Sequence, residues 1–312
     1  MSVAGVGEFG LIDRVTARLS YGSTVLLGPG DDAAVVAAPD ARVVASTDVL
    51  VEGRHFRRDW SGAYDIGRRA AAANLADVVA MGADPTALLV ALCVPVGTPT
   101  EWVEELADGL GAEAAGVGAS VVGGDMSASP TLTIAVTALG DLAGRAPVTR
   151  TGARPGDLVA LAGRTGYAAA GFTVLSRGFR TPRLLVEAYR RPEVPYPAGP
   201  QAARLGATAM IDVSDGLLAD LGHVAKASGV AIDLTRDAFA VPPQIRDAAQ
   251  ALGIDPYAWL LAGGDDHALA ATFPPTTALP DGWRIIGRVS EGSGVTVDAA
   301  EFDGPAGWDH FR

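Results

Sequence analysis

Gly-Asp steps recur beside apolar runs in this chain, among them Gly30-Asp31-Asp32 before AAVV, Gly124-Asp125 after SVVG, and Gly264-Asp265-Asp266 after WLLAG. Adjacent like charges repel and apolar neighbours draw them out of water, so such steps belong at turns or beside a cation. Glycine permits positive φ and close backbone approach, and the aspartate after it projects from a loop that the core holds in place. The fold must therefore be built from short strands that end in acid-bearing loops.

The apolar spacing agrees. It predicts a helix over 8–19 and short strands over 24–27, 33–37 and 42–47. An alanine-rich helix over 63–81 stops at Gly82, followed by a buried strand over 86–94, a helix over 101–115 and strands over 120–122 and 131–139. The polar, turn-rich stretch RAPVTRTGARPGD at 145–157 marks a boundary between domains 1–147 and 148–312. Beyond it we expect strands at 158–162, 209–211, 230–234, 269–273, 284–289 and 294–297, and helices at 167–176, 183–190, 200–205, 217–227 and 243–252. Strands and helices are mixed without strict alternation, and no G-x-G-x-x-G opens a helix after a strand. The expected class is thus α+β, mixed α/β layers in two halves of similar size, and not a Rossmann sheet.

With 312 residues, 49% hydrophobic and 19% charged, the chain can bury a large core. Its net charge of -12 argues against binding nucleic acid or an anionic membrane surface, so an anionic ligand needs local cations. The single cysteine, Cys93, lies in an apolar run and suits a reducing compartment. MSVAGVGEFG lacks the features of a secretory signal, and the longest apolar run, 87–96, is too short to span a bilayer, so a cytoplasmic protein is expected. Lys226 is the only lysine, which excludes a Walker A loop and the strand lysine of protein kinases.

Phosphate neutralisation must then come from arginine or metal. The acids Asp31, Asp32, Asp48, Asp77, Asp125, Asp212, Asp215, Asp265 and Asp266 lie mostly at element ends, a donor set suited to magnesium shared with phosphate oxygens. Plainer roles stand beside this one. Asp31 or Asp32 would serve as a turn cap, Ser214 or Asp215 as the N-cap of helix 217–227, and Asp77 as a helix-surface residue. Asp157 reads as an ordinary turn residue. Histidines 55, 223, 267 and 310 lack zinc-site spacing. Residues alone reach an acidic, magnesium-dependent protein with phosphate-bearing ligands, and name no substrate.

Nine stretches, in order, resemble the thiamine-monophosphate kinase family of the aminoimidazole-ribonucleotide-synthetase-like superfamily. They are GEFGLI (7–12), GDDAAVV (30–36), STDVLVEGRHF (46–56), NLADVVAMGADP (74–85), GGDM (123–126), TRTGARPGD (149–157), IDVSDGLLADLGHVAKAS (211–228), AGGDDH (262–267) and GWDHF (307–311). The resemblance covers nearly the whole chain, and STDVLVEGRHF with IDVSDGLLADLGH is its most specific part. It implies an N-terminal ATP- and magnesium-binding domain whose sheet forms a barrel with a second copy in a homodimer, and a C-terminal α/β domain. It implies the reaction of ATP with thiamine monophosphate to give ADP and thiamine diphosphate. Carried over by position, Asp32, Ser46, Thr47, Asp48, Asp77, Asp125, Asp212 and Asp215 match magnesium ligands. Gly124, Asp125, Arg150 and Ser214 match ATP contacts, while His55, Asp265 and Trp308 match substrate contacts. Asp212, Asp215 and Arg150 fall at the centre of the chemistry. The family often has Gly-Gly-Glu-Asp-Tyr where this chain has Gly263 to His267, and often tyrosine where it has Trp308. Another ATP-using enzyme of the superfamily, or a non-catalytic dimeric metal or nucleotide binder, is the competing reading.

Overall fold

The computed structural model describes residues 8–29 and 33–308, so Asp32 of the expected ligand set lies outside the described residues. In chain order the elements are α1 (Glu8–Thr16), β1 (Val25–Leu27), β2 (Val35–Val36), β3 (Val44–Val51), α2 (Ala63–Ala80), β4 (Asp84–Val94), α3 (Thr100–Gly116), β5 (Ser120–Ala128), β6 (Thr133–Asp141), β7 (Leu158–Ala162), α4 (Tyr167–Ser176), α5 (Arg183–Arg190), α6 (Ala198–Arg204), β8 (Ala209–Val213), α7 (Leu217–Ser228), β9 (Ala231–Leu234), α8 (Pro243–Leu252), α9 (Pro256–Ala262), β10 (Ala268–Phe273), β11 (Trp283–Ser290) and β12 (Gly294–Val297). The chain divides into one unit of Met1–Val78 with Ala83–Gly144 and another of Val79–Gly82 with Arg145–Arg312.

In the first unit, alanine's high helix propensity and the lack of a polar stripe make α2 a helix buried on most sides. Ala70, Ala71, Ala72, Leu75, Ala76 and Val78 are all closed to solvent. It meets α3 at two glycines: a Cβ on Gly67 would lie 2.2 Å from the Leu106 carbonyl oxygen, and one on Gly109 2.1 Å from that of Tyr64. Four strands form a sheet in the order β3-β6-β4-β5, with β4 and β5 parallel and the other pairs antiparallel. Period-two alternation divides its faces. Leu50, Leu88, Ile134, Val136 and Ala138 are buried on one side. Ala45, Thr47, Val49, Leu89 and Ala91 are exposed on the other.

In the second unit six strands run β12-β9-β11-β7-β10-β8, all antiparallel neighbours except β12 with β9. Every residue of β7, β8 and β10 is buried, the mark of strands covered on both faces. Val79, Ala160, Ala202, Met210, Leu269 and Phe273 form one of its cores, with Phe273 and Trp283 edge to face at 5.3 Å between centroids.

Several boundaries differ from expectation. Strand β8 continues past Ile211 to Val213, so Asp212 is part of a strand and does not follow one. Its ladder with β10 pairs Asp212 with Leu269. Strand β5 runs on through Gly124 and Asp125 to Ala128, carried by its parallel pairing with β4. Helix α9 went unread, although Asp255 accepts from the Tyr257 amide at 3.0 Å as its N-cap and Pro256 opens it. Cys93 is a free, half-buried thiol on β4.

Candidate active site

The acid-bearing motifs gather into two groups, one in each unit. In the first, β3 presents Ser46, Thr47 and Asp48 in sequence, and the pleat sends them to alternate faces. The Ser46 hydroxyl donates to Asp77 Oδ2 at 2.6 Å, linking β3 to α2. Asp77 is half-buried and so bonded, which removes its reading as a plain helix-surface residue. Thr47 turns the other way, where its Oγ1 donates to the Val136 carbonyl at 3.0 Å and accepts from Thr137 Oγ1 at 3.1 Å. Asp48 has an exposed side chain, and its backbone amide donates to Asn74 Oδ1 at 2.9 Å.

Asn74 is fully buried, and its Nδ2 donates to the Ala70 carbonyl at 2.9 Å. It was absent from the expected site, yet a lone amide in the apolar run ANLADVV was its signal. Across the sheet, Asp48 lies in register with Val136, Val90 and Gly124, while Asp125 lies one row further on with Ala91 and Ala135. A side chain at Gly124 would put its Cβ 1.9 Å from the Val90 carbonyl oxygen, so this expected ATP contact has a packing requirement of its own. His55 Nδ1 accepts from the Val51 amide at 3.0 Å, in the turn after β3. An open cavity of about 720 Å³ adjoins that turn, lined by Glu52, Arg57, Arg58, Asp59, Trp102 and Glu105. Its arginines are already matched to acids, Arg57 with Asp59 at 2.8 Å and Arg58 with Glu52 at 2.5 Å.

In the second unit, Asp212, Ser214, Asp215, Asp265 and Trp308 surround one turn between β8 and α7. The Asp265 amide donates to the Ser214 carbonyl at 2.8 Å, and the Trp308 amide to the Asp215 carbonyl at 2.9 Å. Gly264 makes the first approach possible, because a Cβ there would lie 2.1 Å from the Ser214 oxygen. Asp265 and Trp308 both keep exposed side chains. Asp212 is 3% exposed, and its Oδ2 lies 3.1 Å from His267 Nδ1. Arg150 is exposed, next to the strand that carries Asp212: the Met210 amide donates to the Thr149 carbonyl at 3.0 Å, and Ser228 Oγ to the Arg150 carbonyl at 3.0 Å.

Neither Ser214 nor Asp215 caps α7 by its side chain; Gly216 stands at the N-cap. The amides of Asp215 and Gly216 instead donate to Asp220 Oδ2 at 3.1 and 3.0 Å. Burial, followed by the charge of Asp212 and then that of Asp215, pushes the Asp220 carboxyl up to about 7. Asp266 is 2% exposed and accepts from the Ala168 amide at 3.0 Å, while its Oδ2 has no hydrogen-bond partner. Burial lifts it to about 7 as well, against the pull of the Ala168 amide and Arg164. Sequence reasoning left Asp220 without a role and counted Asp266 among the possible magnesium donors. Their distinguishing property is burial, which residue type does not reveal. Asp157 is indeed structural: its Oδ2 accepts from the Arg154 amide at 2.9 Å and from Thr208 Oγ1 at 2.7 Å.

No group of three or more His, Cys, Asp or Glu side chains among the described residues is arranged to hold a metal ion. The carboxylates do suit ions that share their coordination with phosphate oxygens. Asp48 and Asp125 are exposed, and the charges of Asp212 and Asp215 add to the burial that holds a proton on Asp220 near neutrality.

Comparison with known proteins accounts for this arrangement. Residues 30–142 match the family described as AIR synthase related protein, N-terminal domain. Thiamine-monophosphate kinase of Mycobacterium tuberculosis (strain H37Rv) is 49% identical over 308 residues, covering 98% of this chain and 92% of that protein. The crystal structure of thiamine-monophosphate kinase from Stenotrophomonas maltophilia K279a superposes with a TM-score of 0.83 at 34% identity, covering 95% of this chain and 98% of that one. AaThiL complexed with AMPPCP and TMP superposes with a TM-score of 0.82 at 32% identity, covering 100% and 99% of the two chains. With identity of this level over 98% of its length, the chain belongs to the thiamine-monophosphate kinase family.

Proposed function

We propose that this protein phosphorylates thiamine monophosphate with ATP, forming thiamine diphosphate and ADP. The observation that carries this reading is the 49% identity to a thiamine-monophosphate kinase along 98% of the chain. A terminal phosphate oxygen of the substrate attacks the γ-phosphorus in line; one P–O bond forms as the bond to the ADP oxygen breaks. That oxygen is already ionised near neutral pH, so positioning and charge neutralisation carry the catalysis and no strong general base is needed. Bound magnesium would supply the neutralisation that lets two polyanions meet.

Domain 1–147 binds ATP and metal and forms the dimer, and 148–312 completes the machinery. Ser46, Thr47, Asp48, Asp77, Asp125, Asp212 and Asp215, together with Asp32, would hold the ions. Thr47 contributes through its backbone carbonyl, since its hydroxyl is turned to the opposite sheet face. Gly124 and Ser214 take the nucleotide, Arg150 adds a fixed charge beside the reacting phosphates, and His55 and Asp265 contact the substrate. Trp308 offers its exposed ring to the cationic thiazolium or the pyrimidine. The open sheet face of Val49, Leu89 and Ala91 pairs with a second copy. No helix among the described residues is long and apolar enough to cross a membrane, and with the single cysteine this supports work in the cytoplasm.

The test is one assay of purified protein with ATP, magnesium and thiamine monophosphate, with free thiamine as a control acceptor. Thiamine diphosphate should form from the monophosphate alone. ATP consumption without the monophosphate, or no product with it, overturns the reading.

A further inference from the structure

Of the groups around the β8–α7 turn, one buried side chain touches an expected metal ligand and has no part in the scheme above. His267 is 6% exposed, and its ring Nδ1 lies 3.1 Å from Oδ2 of Asp212. Its backbone is held on the same strand, because its amide donates to the Val213 carbonyl at 3.0 Å. It holds a left-handed conformation, φ 51°, as does Asp265 at 67°, so the loop is bent to bring this ring onto β8. An ionised carboxylate only accepts hydrogen bonds, so the proton between the two must reside on Nδ1. His55 is the opposite case: its Nδ1 accepts from the Val51 amide, so that nitrogen is bare.

We propose that His267 is a positioning residue that donates Nδ1–H to Asp212, fixing the carboxylate's rotation so that it is aimed before the metal–nucleotide complex arrives. The proposal rests on the kinase reading for its consequence, and on the hydrogen bond alone for its geometry. A ligand held by one oxygen loses less rotational freedom on binding, and partners of this kind are worth about 10- to 100-fold in metal affinity or activity.

Two measurements test it. The first is nitrogen-15 NMR of the wild-type protein at about pH 8.5, above the ordinary imidazole range. Its four histidines keep the spectrum simple, and H267N identifies the His267 signals by their loss. Nδ1 of His267 should carry a proton and Nδ1 of His55 should not. A bare Nδ1 on His267 overturns the proposal, whether or not the protein makes thiamine diphosphate. Failure to make product with Nδ1 protonated overturns the kinase reading instead.

The second measurement is the magnesium concentration for half-maximal activity. Asparagine places an amide N–H as many bonds from Cα as Nδ1 and tolerates positive φ, so H267N should stay near wild type. H267A and H267Q should need about 10-fold more magnesium or more, with KM for thiamine monophosphate unchanged. Equal behaviour of H267N and H267Q, or a change confined to the substrate KM, overturns the positioning role.

Discussion

Asp48 stands exposed on an edge strand, whereas Asp212 is 3% exposed within a buried one, yet both are aspartates beside apolar residues in the sequence. Their candidacy as site residues was legible because short acids recurring without a phosphate-binding lysine leave few other roles. Their settings were not, because burial depends on what folds over them. The Asp48 backbone is held through its amide by Asn74, so D48N should keep the fold. In D48N and D212N, thiamine diphosphate formation should fall by about 100-fold or more, the scale of losing one electrostatic partner of a transition state. Near-normal turnover in either folded variant would remove it from the site. Asp266 makes a separate prediction about stability. Its carboxyl is lifted from 3.8 to about 7, so between those values the folded state keeps a proton that the unfolded chain releases. Stability therefore falls as pH rises through this window, by up to about 1.4 kcal/mol per pH unit. D266N, which cannot titrate, should lose its share of the slope in urea melts from pH 4 to 8 and leave the share of Asp220, whose carboxyl is also lifted to about 7; a slope unchanged from wild type would place the titrating group elsewhere.

Among elements, the β8–α7 turn and the loop from Gly264 to His267 act as one piece. Backbone bonds from Asp265 to Ser214 and from His267 to Val213 hold them together. Gly264 is the point of closest approach, 2.1 Å from a carbonyl oxygen if a Cβ were present. G264A must push the two segments apart. It should destabilise the protein by about 1–3 kcal/mol, the usual cost of overpacking, and reduce activity further than its stability loss explains. A melting temperature and turnover both equal to wild type would show that the loop does not brace the turn. The existence of α2, α3 and β7 was readable because alanine-rich or continuous apolar runs report helix or buried strand directly. The extent of β5 and β8 was not, because pairing with β4 and β10 carries them through glycine and aspartate, which local propensity counts against a strand.

For the molecule as a whole, the four-stranded sheet leaves one face uncovered, with Val49 49% and Leu89 39% exposed. Paired with a second copy, the protein should have a light-scattering mass of twice its 31.7 kDa. A charge on the open face, as in V49R/L89R, should shift it to the monomer, because a buried unpaired cation is strongly unfavourable. A monomeric wild type at micromolar concentration would exclude the dimer. The sequence by itself determined the order of the elements, the mixed α/β class, the family and the candidate acids of the site. All of these follow from residue type and spacing, which are local properties. Only the tertiary structure decided that Asn74 holds the backbone of Asp48, that Asp220 takes the amides of Asp215 and Gly216 ahead of α7, and that Thr47 turns away from Ser46. It also decided that His267 meets Asp212 from 55 residues away. Contacts of that kind arise when distant segments exclude water together, and no window of neighbouring residues records which segments will meet.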